Sequence, residues 1–435
     1  AANPARQLAH VGVDTGQTPT AGGERFTMKR TRTYKGYRLN SRQFDSVFAS
    51  PPDSEMCLRW AVLTSILEPT ETVRQLASAE GWCVVVVGDK DGAAEYDVDG
   101  VIYLTPADQE LLPYRIVPLL PWNHFGRKNV GYLYALHHGA KVIYDVEDNN
   151  ALTSPEAGVP LALSPFAPAS TTTTFALGPD TLVHHPYGCF GGPGNVWPRG
   201  FPLDLVNDSN STRCEAMSVE SLTEAVPTGG LALGVVQTLA NHHPDVDAVY
   251  GLSHSPGDFP FDFEDGGPAP EGLSPLKVVH PSTFTPYNSQ ATLHFPPAFW
   301  GMLLPVTVHR RVSDIWRSYF TQTLLPSTGA AIAFAPAWVE QARKVRNPHS
   351  FVADLQAEQP LYERSGELIA FLATGRRVLA KASKEGLTMH ALMEELMVTM
   401  YEYGIIEILD VELSQAWLQD LYSVGYNSST YMLKS

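Results

Sequence analysis

The chain has 435 residues, is 44 % hydrophobic and 17 % charged, and carries a formal charge of −16. That describes a globular protein of roughly two or three domains and argues against nucleic acid or an anionic membrane as its main partner. No apolar run reaches the ~18 residues of a membrane-spanning helix, so no span is expected in this chain.

Residues 1–44 run against the overall charge, with eight Lys or Arg (Arg6, Arg25, Lys29, Arg30, Arg32, Lys35, Arg38 and Arg42) against Asp14 and Glu24. Residues 1–54 read as an extended arm, solvated, laid over the acidic body or docked on an acidic partner. The chain opens without Met, which leaves room for a removed or omitted upstream segment.

Trp60–Ser65 and Cys83–Val87 are apolar, β-rich runs that suit buried strands, and Val101–Leu104 suits a shorter one. Between the first two, Pro69-Thr70 opens a helix whose Val73, Leu76 and Ala77 share a face, and Gly81 ends it. Val130, Leu133, Tyr134 and His137 stripe a further helix that stops at Gly139. Buried runs alternating with helices predict a parallel sheet covered on both faces.

Val142-Ile143-Tyr144 is the next strand, and it runs into Asp145-Val146-Glu147-Asp148-Asn149-Asn150. Carboxylates this close repel one another unless a cation or protons neutralise them. Mg²⁺ or Mn²⁺ does so with one or two carboxylates plus substrate phosphates. Open α/β sheets bind ligands at the carboxyl ends of their strands, where this cluster falls. The alternative is a solvated acidic turn with Asn149-Asn150 at its corner.

Residues 151–235 are rich in Pro, Gly, Ser and Thr and read as an irregular insertion. His242–Asp247 precedes a strand-like Ala248-Val249-Tyr250, and His309–Arg317 opens a helix that Ser313 or Asp314 would cap. Beyond about residue 360 three helical stripes follow, around Leu368, Leu396 and Trp417. Four cysteines, Cys57, Cys83, Cys189 and Cys214, leave disulfide pairing open. Sequons at Asn207, Asn210 and Asn427 point to a secretory route.

A carboxylate cluster at a sheet edge suits transfer from a nucleotide sugar. A cation on Asp145, Glu147 or Asp148 would bridge the two phosphates, or one carboxylate would bind the ribose. Arg127 and Lys128, at a helix start, would receive phosphate, with ordinary surface charge as the alternative. Thr64 and Asp89, at strand ends, would bind base or ribose. Asp314 or Asp247 would act on the acceptor hydroxyl, and His349 is a further candidate metal ligand. Aspartyl phosphoryl transfer fits less well, because Glu147 stands where that chemistry uses Asp and no Thr follows.

These residues resemble the STELLO proteins, glycosyltransferases of plants and related eukaryotes. The likeness runs in order through Gly131–Leu136, Asp145–Asp148, Val196–Leu203, Asp245–Val249, Ala298–Val306 and Ala416–Leu421. Arg311–Trp316 is also similar to a segment of reversibly glycosylated polypeptides, which supports a site role for Asp314. The resemblance implies an α/β, GT-A-like, doubly wound, mainly parallel sheet with a C-terminal helical region. The nucleotide-sugar domain would cover residues 55–350 and the helical region residues 351–435. It further implies a UDP-sugar donor, a glycan or glycoprotein acceptor, Mn²⁺ (or Mg²⁺) on Asp145, Glu147 and Asp148, and a Golgi luminal site behind a membrane anchor. Glu147 departs from the Asp usual in the family. The family's tie to cellulose synthase assembly leaves open a catalytically silent factor that binds a cell-wall synthase complex.

Overall fold

The structure, a computed structural model, describes residues 28–433 except 40, 45, 94, 154–174, 178–180, 194, 213–231, 255–260, 264–275 and 342–347. Four short apolar runs form one half of its sheet: β1 (Arg59–Thr64), β2 (Cys83–Val87), β3 (Val101–Leu104) and β4 (Val142–Val146). They lie parallel in the order β3-β2-β1-β4. The other half is built from β5 (Asn150–Leu152), β6 (Phe175–Leu177), β7 (Ala232–Asn241), β8 (Lys277–Val279), β9 (Ala291–His294) and β10 (Ala330–Gln341). β9 runs antiparallel between β4 and β7, and β10 returns parallel to β7. The sheet thus continues β4-β9-β7-β10-β8-β6, with β5 on the free end of β10. This is an α/β, GT-A-like fold with a C-terminal helical region.

Because strand side chains alternate, each run feeds two cores. Trp60, Val62, Val85, Val87 and Ile143 enter the larger one. Ala61, Leu63, Val84, Val86 and Tyr144 enter the other, under α1 (Glu71–Ser78). Two helices lie on the connections after β3: α2 (Pro106–Leu111), closed by a Thr105/Asp108 capping box, and α3 (Lys128–His137). α3 lies close on the sheet because Gly131 has no side chain. A Cβ there would stand 2.6 Å from Val62 and 2.9 Å from Val87.

Residues 248–250 are helical, not extended: they open α4 (Ala248–Ser253). Asp247 accepts the Tyr250 amide at 2.8 Å, and Glu358 accepts that of Ala248 at 2.8 Å. Three apolar residues alone do not separate strand from helix; the capping acid decides. α5 (Arg310–Leu324) begins a turn earlier than expected, with His309 Nδ1 as its cap, so Ser313 and Asp314 lie inside it.

The chain ends in α6 (Pro348–Lys384), α7 (Met389–Glu402) and α8 (Ile408–Ser423). Leu368, Leu396 and Trp417 join the same core as Trp60, and the Trp417 indole donates to Trp300 O at 2.9 Å. Across α7 and α8 lies the described part of the basic arm. Arg30 pairs with Glu402 and Arg38 with Glu395, while the Leu39 amide donates to Glu394. All three glutamates are nearly buried. A Cys57–Cys83 disulfide ties the approach to β1 to the root of β2, and Cys189 is disulfide-bonded as well.

Candidate active site

Alternation places Asp145 on the same face of β4 as Ile143, towards α3 and α5. There it is fully buried and held from two sides. Its Oδ1 lies against Lys128 Nζ, the first residue of α3, and its Oδ2 accepts from Arg317 of α5 at 3.0 Å. Burial alone would push the carboxyl up. The two cations outweigh that and hold it far below the usual range. His294 of β9 sits 3.8 Å away, and its own burial pulls it down to about 4. The first acid of the cluster is therefore neutralised from within the protein. Lys128 also donates to Val146 O at 2.8 Å and Arg317 to Ser289 Oγ at 2.9 Å, so the acid, both cations and the 288–290 turn form one buried unit.

Beyond the end of β4 the chain turns to solvent, and Glu147 and Asp148 are half-buried. The Ser65 hydroxyl, just past β1, donates to Asp148 Oδ2 at 2.6 Å, and Thr70 Oγ1 donates to the Asp148 carbonyl at 2.6 Å. Burial raises the Asp148 carboxyl above its ordinary value. Asp89, past β2, receives the amides of Asn123 at 2.7 Å and His124 at 3.0 Å and so closes the neighbouring loop. The ends of β1, β2 and β4 thus converge on one mouth, with Thr64 half-buried at its rim.

The two residues read as phosphate ligands face inward. Lys128 is fully buried on Asp145. Arg127 is 1 % exposed, donates to Gln109 Oε1 at 2.6 Å and to Leu120 O at 3.2 Å, and lies 3.6 Å over the Trp122 ring. A 3-10 turn, Phe125–Arg127, covers the start of α3.

A second charged cluster adjoins the first. Arg199 donates to Asp245 at 2.7 Å and 2.9 Å and to Asp314 at 2.9 Å and 3.0 Å. Asn288 Nδ2 adds a bond to Asp245 at 2.7 Å, and the Ser289 amide adds one to Asp314 at 3.2 Å. Burial works against ionisation of Asp245, yet Arg199 brings it down to about 2. A cleft lined by Tyr187, Arg199, Gln237, Asp245, Asn288 and Gln290 opens beside β7. Asp314 is thus held by a guanidinium rather than standing as a free base. Asp247 serves α4 and accepts from the Trp197 indole at 2.7 Å; burial raises it to about 7. His349 lies in the first turn of α6, and its side chain lies outside the described residues.

The segment Asn288-Ser289-Gln290 was not singled out from the sequence, yet it joins both clusters. Ser289 O accepts from Lys128 at 3.3 Å, and Gln290 O accepts the Glu147 amide at 3.1 Å and the Asn150 amide group at 2.7 Å. Its only prior signal was a run of amides and hydroxyls leading into β9. Among the described residues no three His, Cys, Asp or Glu side chains are arranged to hold a metal ion. Glu147 and Asp148 are the two carboxylates of the cluster that are not buried in the Asp145 ion pairs.

Comparison with known proteins accords with this architecture. A family model described as STELLO glycosyltransferases matches residues 311–434, from α5 to the C-terminal helices. The chain is similar to the Arabidopsis thaliana protein named "Probable glycosyltransferase STELLO2", at 33 % identity over 397 residues, 90 % of this chain and 48 % of that protein. It is likewise 32 % identical over 381 residues to "Probable glycosyltransferase STELLO1" of the same plant, across 86 % of this chain and 45 % of that one. The chain spans about half the length of these curated relatives. The acidic mouth lies in the stretch similar to these two proteins, and the segment from α5 to the C-terminal helices, residues 311–434, is of the STELLO glycosyltransferase family.

Proposed function

We propose that this chain transfers a sugar from a UDP-sugar to a glycan or glycoprotein acceptor with the help of Mn²⁺ or Mg²⁺. The observation that carries the reading is the convergence of Ser65, Asp89 and Asp148 at the ends of three parallel strands. Glu147 and Asp148 would hold the cation, which when bound neutralises charge on the leaving diphosphate. Asp145 acts from beneath as a positioning residue, fixing the end of β4 through Lys128. The amides of Asn288 and Gln290 in the adjoining cleft suit sugar hydroxyls, with Arg199 and its two carboxylates as a fixed wall. A secretory-pathway site, in the Golgi lumen, is supported by the Cys57–Cys83 disulfide and by exposed Asn207, Asn210 and Asn427 in the sequons.

Calorimetry with UDP, with and without Mn²⁺, tests the reading. Binding should require the cation and should be lost in Asp148→Asn, whose thermal stability stays close to the parent's. One observation favours a second reading, a catalytically silent factor that binds a cell-wall synthase complex: Asp145 and Asp314 are both neutralised by arginines. A folded chain that binds no UDP in the presence of Mn²⁺ would leave that reading standing and remove the first.

A further inference from the structure

At the opposite end of β10 from the acidic mouth, around Ala330–Ile332, lies a small recess lined by Val279, His280, Thr283, Gln322, Ile332 and Arg376. Arg376 reaches it from α6. Its Nη1 donates to Pro281 O at 2.7 Å, and its guanidinium lies 3.9 Å over the Phe284 ring. Nε and Nη2 are buried and have no hydrogen-bond partner among the described residues. Among the described residues no carboxylate offsets its burial, which pulls the guanidinium down to about 9. Other polar groups around the recess are committed elsewhere. The Gln322 amide donates to Thr285 O at 2.7 Å and Ser318 O at 2.8 Å, and Thr283 Oγ1 donates to Thr181 O at 3.0 Å.

A guanidinium edge shut off from solvent, with two donors unmet among the described residues, is costly unless an anion answers it. Nε and Nη2 share one edge of the planar guanidinium, the edge that receives two oxygens in parallel. We propose that the Arg376 recess is a binding site for a small carboxylate, seated on the free Nε/Nη2 edge with its short apolar tail against Val279 and Ile332. The matching is one of charge and shape. A single guanidinium balances a monoanion, and the apolar walls suit carbon rather than further oxygens. A phosphate dianion would bring a second charge for which the recess has no second cation among its described residues.

The site is independent of the donor mouth, so its test needs no nucleotide. Thermal unfolding of the chain is followed at constant ionic strength while chloride is replaced by acetate or propionate, with phosphate as a parallel series. Ligand bound only to the folded state raises the midpoint with its concentration. The midpoint should climb with either carboxylate, half-maximally in the millimolar range expected of one bidentate contact. Arg376→Met should abolish the climb while unfolding in chloride no earlier than the parent, since it removes an unanswered buried charge. Arg376→Lys keeps the charge without the fork and should retain only a small part of the response. An equal climb in Arg376→Met would overturn the proposal. So would a full response to chloride, or a stronger one to phosphate than to acetate.

Discussion

Replacing Asp145 by Asn keeps the side chain's shape and removes only its charge. In the folded chain that charge answers two cations, Lys128 and Arg317, which are 0 % and 1 % exposed. Both have other partners: Lys128 donates to Val146 O, and Arg317 donates to Tyr132 Oη at 3.2 Å and Ser289 Oγ at 2.9 Å. These partners are neutral and do not balance charge. Removing one member of a buried ionic cluster typically costs about 3–5 kcal/mol. With an unfolding entropy of about 2.1 cal/mol/K per residue over the 435-residue chain, that lowers Tm by about 3–5 °C. Scanning calorimetry of parent and variant reads the difference directly. It should persist at high salt, because buried charges are poorly screened. Asp148→Asn, half-buried and bonded to one hydroxyl, should shift Tm far less. A variant at position 145 that melts within a degree of the parent would refute the reasoning, since Asp145 would then not be the counter-ion of α3 and α5.

Removing the Cys57–Cys83 disulfide by double Ser substitution opens a loop of 26-residue separation. Loop-closure entropy puts the loss near 3.5 kcal/mol, readable by urea denaturation. Arg30→Ala with Arg38→Ala uncovers nearly buried Glu402 and Glu395. As both arginines are over a third exposed, each pair should contribute only about 0.2–1 kcal/mol, and the loss should shrink in 1 M salt. Burial first, and then His184, lower His185 to about 3. The unfolded chain therefore takes up that proton first, and the stability is complete above about pH 6.5 and lost as pH falls towards 3, at ~1.4 kcal/mol per unit. His185→Leu should flatten that slope. Asp247 and Asp410, raised by burial to about 7 and about 6, act with the opposite sign but equally in both chains.

The parallel half of the sheet was legible because Val84–Val87 and Trp60–Leu63 are continuous apolar runs that have no other way to be satisfied than burial on both faces. The convergence at Asp148 was legible for the same reason: an acid after a buried strand stands at that strand's mouth. What neutralises Asp145 was not. Its partner Arg317 is 172 residues away, and only the crossing of α5 over β4 brings the two together. Lys128 and Arg127 carried the right charge for phosphate, but a sequence does not say which way a helix start faces, and both face the core. Asp247 and Asp314 read as available acids, yet one caps α4 and the other holds Arg199. Asn288-Ser289-Gln290 has no periodicity to notice; its role comes from lying where α3, α5, β4 and β9 meet.

α6 carries this geometry further. Glu358, which fastens Arg311 and the first amide of α4, and Arg376, at the recess, ride on the same helix. At 1.5 Å per residue they stand about 27 Å apart along its axis. The helix is a lever with one arm beside the Asp245 cleft and the other beside the guanidinium, so a tilt at one end must appear at the other. Pro360, two residues past Glu358, withdraws a backbone donor near the cleft end of that helix.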